Sequence, residues 1–291
     1  MQIVFHLGAH CTDEGGVLKC LTRNRAALAE EGIAVPDPAR YPNLLREALA
    51  KLEGKVASEE VSAALIDDLL GDVQAERIVM SYESFMALPR WALGRGMLYP
   101  GATERTAGLA NLFPGHEVEF HLAIRNLATY LPTLFEKQKG KSYEDFIEGS
   151  DPVLLRWSDL VGRIRTASPL ARLTVWCDED TPLIFPEVMR QVSGHGAVRQ
   201  MADTDGILAA IMTPDGVQRM RAYLAQHPPQ SEQHRRRIVT AFLDKFARPE
   251  AIEVELDMPG WTDAYVEDLT RVYDEDCALI AGSEGVTFIA P

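Results

Sequence analysis

The chain has little of what marks a metal protein, a membrane protein or a nucleic-acid binder. Its four cysteines, Cys11, Cys20, Cys177 and Cys277, form no CxxC pair and no ligand spacing, which excludes the zinc-ribbon and disulfide-framework classes. Such sparse usage predicts free thiols in a reducing compartment. No uninterrupted apolar run reaches the roughly 20 residues that span a bilayer. The residues after Met1 read as a strand, not as a basic segment leading into a long apolar one. Neither an integral membrane segment nor a signal peptide is therefore expected, and the expected location is the cytoplasm. Positive charge is also scarce: 29 Lys and Arg stand against 43 Asp and Glu, a net charge of −14. That balance argues against nucleic acid or an anionic membrane as the main partner, since both need a basic face. The one dense basic run, His234-Arg235-Arg236-Arg237, reads as a solvated helix face. No internal repeat and no low-complexity segment is seen.

What is present is an ordinary globular composition, 46% apolar, able to bury a sizeable core. Four apolar runs read as interior strands: Gln2 to Leu7, Arg77 to Ser81, Val118 to Ile124 and Leu173 to Cys177. Their near-continuous apolarity predicts burial on both faces. Helical patterns separate them, with Val17, Leu18, Leu21, Ala26, Leu28 and Ala29 on one side of the first. Gly32 supplies a stop, and residues 32–36 form a short extended segment. Further helices are expected over 44–52, 58–70 (with Ser58 as N-cap), 127–139 and 154–165. This alternation predicts an α/β fold, three layers α/β/α around a central parallel sheet. Beyond Gly194 the pattern becomes mainly helical, over 213–226, 231–246 and 261–281. One domain over 1–291 is expected, with 198–262 a mainly helical segment inside it, either an acceptor lid or a subunit contact.

The first strand runs into Gly8-Ala9-His10-Cys11-Thr12-Asp13-Glu14-Gly15-Gly16 and then a helix. Strand, glycine-bearing loop and helix N-terminus together make a cradle for a phosphate. A phosphate loop normally adds a lysine. Here no lysine stands in the loop, and Asp13 and Glu14 occupy the helix mouth. An acid there caps the helix by accepting from the amides a phosphate would use, so the loop can be satisfied by its own carboxylate. From the residues alone the plainer reading prevails, that Gly15 and Gly16 simply begin a helix, because strand, loop and helix is the commonest of α/β joints. His6, His10, Cys11, Asp13 and Glu14 lack a recognised ligand spacing, and no metal is expected.

The order of these features resembles the sulfotransferase family, especially its bacterial members. That family opens with His-x-Gly-x-x-Lys-Thr-Gly-Thr-Thr. His6, Gly8 and Thr12 match, Cys11 stands where the family has lysine, and Asp13, Glu14 and Gly15 replace Gly-Thr-Thr. Gly32-Ile33-Ala34-Val35-Pro36 is similar to a Gly-Ile-x-x-Pro turn, and Ser81-Tyr82-Glu83-Ser84-Phe85 to the segment after a core strand. Arg125 with Thr133 resembles the arginine and serine that grip a 3′-phosphate. Ser142 to Ile147, Trp157, Asp178-Glu179-Asp180 and Tyr273-Asp274-Glu275-Asp276 follow similar motifs. The resemblance covers roughly residues 1–195 and 265–285. It implies a P-loop nucleoside-triphosphate-hydrolase-like fold and phosphoadenosine phosphosulfate as cosubstrate, without a metal. It further implies sulfuryl transfer to a hydroxyl or amine on a small-molecule, glycan or lipid acceptor.

On that resemblance Gly8, Cys11, Thr12, Asp13, Glu14, Gly15, Arg125 and Thr133 form the cosubstrate site, and Glu83 and His10 are the catalytic candidates. Glu83 either takes the acceptor's proton or caps a helix behind the strand. Arg125 either binds phosphate or pairs with an acid. Lys19, Arg23 or one of Lys137, Lys139 and Lys141 is available as a replacement cation. Three readings follow: a working transferase with an altered loop, a non-catalytic binding or scaffold protein that keeps the fold, and an enzyme of a different class using His10, Cys11 and Glu83, such as one with a thiol nucleophile. Adjacent acids would raise the thiol pKa and disfavour the last. A second copy of the chain is a candidate partner.

Overall fold

The strand-like runs all enter one sheet. A computed structural model of the chain describes residues 1–138, 140–196, 201–252 and 258–291. Its strands are β1 (Gln2–His6), β2 (Ile33–Ala34), β3 (Arg77–Ser81), the short pair β4 (Leu93–Gly94) and β5 (Met97–Leu98), β6 (Glu117–Ile124), β7 (Arg172–Cys177) and β8 (Val286–Ile289). Six of them form a sheet in the order β2-β3-β1-β6-β7-β8, every pairing parallel. β4 and β5 pair antiparallel as a separate hairpin. The strand that carries the loop is thus central, flanked by β3 and β6, and the expected three-layer α/β/α architecture is the one the chain adopts.

Alternation along the strands builds the two outer layers, because successive side chains leave opposite faces. Ile3 and Phe5 join a core with Tyr41, Leu65, Leu109, Tyr130 and Leu160, which come from helices on one side. Val4 points the other way, into a core with Val17, Leu21, Ile184 and Val188, from the Gly16–Arg23 and Thr181–Ser193 helices. Burial on both faces explains the uninterrupted apolar runs. A third, smaller core of Leu208, Met212, Val217, Met220 and Val239 holds the Pro214–Gln226 and Glu232–Phe246 helices together. This part reaches back over the first helix: a Cβ on Gly16 would lie 3.2 Å from Ile207, and Asn24 exchanges hydrogen bonds with both the carbonyl and the amide of Ala202.

The end of the sheet opposite the loop is pinned by a buried ion pair. The Arg77 guanidinium donates to both Glu119 oxygens, at 3.2 and 2.7 Å, and also to the carbonyls of Gln191 and Val192. Burial pushes the Glu119 carboxyl up, but His121 and this bidentate Arg77 pairing outweigh it and hold the carboxyl at about 2.

Several expectations shift. Ser58 does cap its helix, accepting from the Val61 amide at 3.3 Å. The helix expected over 127–139 ends at Glu136, and Lys139 lies outside the described residues. That expected over 154–165 is a 3-10 turn at Pro152–Leu154 followed by a helix at Trp157–Ala167. No helix directly follows β3: residues 83–86 are turns and bends before a 3-10 turn at Pro89–Trp91, so the helix that Glu83 was expected to cap is not there. Of the helical segment expected over 198–262, residues 198–200 and 253–257 lie outside the described residues. Among the described residues, no helix is long and apolar enough to cross a membrane.

Candidate functional site

In a parallel sheet the carboxyl ends of all strands share one edge, and ligands bind there. β1 delivers the loop to that edge, β3 delivers Glu83, β6 delivers Arg125, and β7 delivers Asp178 and Glu179. The backbone of the loop is unusual. Gly8, Cys11, Asp13, Glu14 and Gly15 all have φ between 46° and 72°, a region L-residues visit at a cost of about 1–3 kcal/mol each. Gly8 is favoured by its φ of +67°, and a Cβ there would just touch the Glu83 backbone, 3.4 Å from its Cα.

The loop closes on itself. Asp13 turns its carboxylate into the mouth of the first helix, where Oδ2 accepts from the Val17 amide at 2.8 Å and Oδ1 from Gly15 at 3.2 Å. Its own amide donates to Asp178 Oδ1 at 2.8 Å. Thr12 Oγ1 donates to the Ala9 carbonyl at 2.7 Å, and Lys19 curls back onto the Glu14 carbonyl at 3.0 Å. Of the two readings open from the sequence, the observed geometry is the self-capped loop, with Asp178 as a second acid behind it. Desolvation pushes the Asp13 carboxyl up to about 6, against the two amides it accepts from. The same cause pushes Asp178 up to about 7.

Arg125 braces the loop from β6. Its Nη1 donates to the Cys11 carbonyl at 2.7 Å and its Nε to Thr129 Oγ1 at 3.0 Å. Thr133, the expected hydroxyl partner, donates to the Thr129 carbonyl within its own helix. Among the described residues Arg125 is engaged by a backbone carbonyl and a hydroxyl, not by an acid. Lys137, just past the Leu127–Glu136 helix, lies 3.7 Å from Glu83 Oε2, both side chains being about half exposed, 40% and 52%. Burial pushes the Cys11 thiol up, while Lys137 and Arg125 oppose that rise. Two cations from other elements thus lie close to the Cys11 thiol.

His10 is fully buried, at 0% exposure, and its hydrogen bonds fix its tautomer. The Tyr99 hydroxyl accepts from the His10 amide at 2.8 Å and from Tyr130 at 3.0 Å. Its lone pairs filled, Tyr99 donates its own proton to His10 Nδ1 at 2.8 Å. Nε2 is left to carry the hydrogen and donate to Ser84 Oγ at 3.3 Å. Burial, helped by Lys137, lowers the His10 pKa to about 4. His10 is a neutral brace with both nitrogens engaged. His6 is equally enclosed: Nδ1 meets Ser81 Oγ at 2.8 Å and the ring stacks on Trp176. Burial, then the neighbouring His121, takes its pKa down to about 3. Among the described residues, no group of three or more His, Cys, Asp or Glu is placed to hold a metal ion.

Gly8, His10, Cys11, Thr12, Asp13, Glu14, Gly15, Glu83 and Arg125 thus share one edge, whereas the Thr133 hydroxyl is spent within its own helix. Sequence reading did not single out Tyr99 or Thr129. Thr129 could have been found from its spacing, one turn beyond Arg125. Tyr99, in a turn with φ of 47°, left no signal. Asp178 was noted as a strand end without its role in holding the Asp13 amide.

No protein-family model matches the chain, and no curated protein matches it. A solved structure, a sulfotransferase from Alicyclobacillus acidocaldarius, aligns over 87% of this chain and 96% of that one, with 13% identity and a TM-score of 0.36. A likeness that faint leaves the function to be argued from the site itself.

Proposed function

We propose that this chain is a sulfotransferase-like protein that works as a binding module without transferring sulfuryl groups. The observation that carries this reading is the Asp13 carboxylate seated on the amides of Gly15 and Val17. Phosphoadenosine phosphosulfate does not fit the loop as it stands. Its phosphosulfate would need those amides, and a carboxylate about 4 Å away would oppose it by roughly 4 kcal/mol in a surface-like dielectric. Arg125 is engaged with the Cys11 carbonyl and Thr129, which supports a bracing role in place of phosphate capture.

A second reading, sulfuryl transfer to a hydroxyl or amine acceptor, draws support from the exposed Glu83 beside Lys137. A solvent-facing carboxylate at the strand edge has the reach of a general base, whereas His10 has no nitrogen to offer. Calorimetry with adenosine 3′,5′-bisphosphate separates the two. The binding-module reading expects no heat at millimolar ligand from the unaltered protein. It expects binding to appear when Cys11→Lys is combined with Asp13→Gly and Glu14→Thr. Tight binding by the unaltered protein, with turnover of the phosphosulfate, would overturn it.

A further inference from the structure

Beyond the loop, the structure brings together two sulfur atoms that no part of the reading above uses. Cys177 closes β7, and Cys277 lies on the Asp263–Ala281 helix. Although 100 residues apart in sequence, their Sγ atoms are 3.5 Å apart. Cys177 is buried in the sheet's larger core while Cys277 is only partly covered. One thiol is therefore reachable by a small oxidant, and the other waits behind it. A disulfide spans about 2.05 Å between sulfurs, so closure needs an approach of roughly 1.5 Å. The other two cysteines have different surroundings: Cys11 sits in the loop, and Cys20 Sγ donates to the Ala202 carbonyl at 3.5 Å.

We infer that Cys177 and Cys277 are a reversible oxidation site, forming an internal disulfide on exposure to a peroxide. The partly exposed Cys277 thiolate attacks one peroxide oxygen; the O–O bond breaks, and the departing hydroxide takes a proton to become water. Cys277 is then a sulfenic acid. The Cys177 sulfur attacks that sulfur, the S–S bond forms, the S–O bond breaks, and a second water leaves. Two thiols are oxidised and one peroxide is reduced to two waters. A small thiol reverses the bond by exchange. The hydrogen bond with Cys177, together with burial, pushes the Cys277 thiol up, so the reaction is slow near neutrality and quickens with rising pH. The bond would clamp the strand end that continues into Asp178 and Glu179. Those residues accept from the Asp13 and Asn126 amides, and the clamp would tie them to the long C-terminal helix.

The test uses the full chain treated with hydrogen peroxide at mildly alkaline pH, followed by thiol counting in denaturant, intact mass and a non-reducing peptide map. Expected are the loss of two of the four thiols, a mass decrease of about 2 Da, and one linked peptide pair containing Cys177 and Cys277, all reversed by dithiothreitol. Cys277→Ser abolishes the link, and Cys20→Ser keeps it. Survival of all four thiols, a link through Cys11 or Cys20, a link between two chains, or Cys277 halted as a sulfinic acid would each overturn the inference. Because the unaltered protein alone gives the map, a variant that fails to fold leaves the result decidable.

Discussion

Replacing Asp13 by asparagine probes the closed loop most directly, because it removes the charge and keeps one acceptor oxygen. The Asp13 carboxyl is raised from 3.8 to about 6 in the folded chain. At about 1.36 kcal/mol per pH unit that corresponds to roughly 3 kcal/mol. The sign is set by linkage: the folded chain holds this proton more tightly than the unfolded one. Its contribution is fully present below 3.8 and is lost as pH rises through about 6. Asparagine does not titrate, so the variant gains relative to the unaltered protein as pH rises. Against this, asparagine has a single oxygen for two amides, and losing the longer bond, to Gly15 at 3.2 Å, costs about 1 kcal/mol. Asp13 is also only half-buried, and solvent screening trims the gain further. Asp13→Asn should therefore be about 1 kcal/mol less stable near pH 4 and about 1–2 kcal/mol more stable near pH 8, with a change of sign between. Urea unfolding followed by circular dichroism across that range, with the slope m held common, measures it. A stability difference that stays flat with pH would refute the desolvated carboxylate and the loop geometry that produces it.

Tyr99→Phe removes the hydroxyl that serves His10 and Tyr130; leaving buried groups unpaired should destabilise by about 1–3 kcal/mol, read by the same unfolding experiment. Gly194→Ala should destabilise by at least about 1 kcal/mol, because φ is +73° and a Cβ would lie 2.8 Å from the Arg77 side chain; unchanged thermal stability would contradict the packing. His6, neutral down to about 3 against an ordinary 6.5, lets only the unfolded chain take up its proton in that window. Stability should fall as pH drops below about 6.5, by up to roughly 5 kcal/mol from this residue at pH 3. Proton uptake on unfolding near pH 5, measured by calorimetry in buffers of different ionisation heat, checks it.

The buried strands were legible because each is an apolar run with both faces covered, a pattern that survives without tertiary information. The loop was legible in part: its acids stood in the sequence, but whether one turns onto the helix amides was left open. An acid at a helix mouth bonds to amides within four residues of it, and Asp13 does so with Val17. β8 was not legible: Val286–Ile289 is short and only partly covered, and it becomes a strand by pairing with β7. The β4–β5 hairpin was missed for a like reason, two residues to a strand being below any periodicity. Glu83 was read correctly as lying at the strand edge, but the helix behind it does not exist.

By itself the sequence determined the parallel α/β architecture, which follows from burial patterning, and the presence of two acids at the mouth of the first helix. Only the tertiary structure decided what surrounds that loop. Asp178 reaches the Asp13 amide across 165 residues of chain, Arg125 grips the Cys11 carbonyl across 114, and Tyr99 locks His10 across 89. Such contacts depend on which strand ends and turns the folded sheet sets side by side, and no local spacing encodes that.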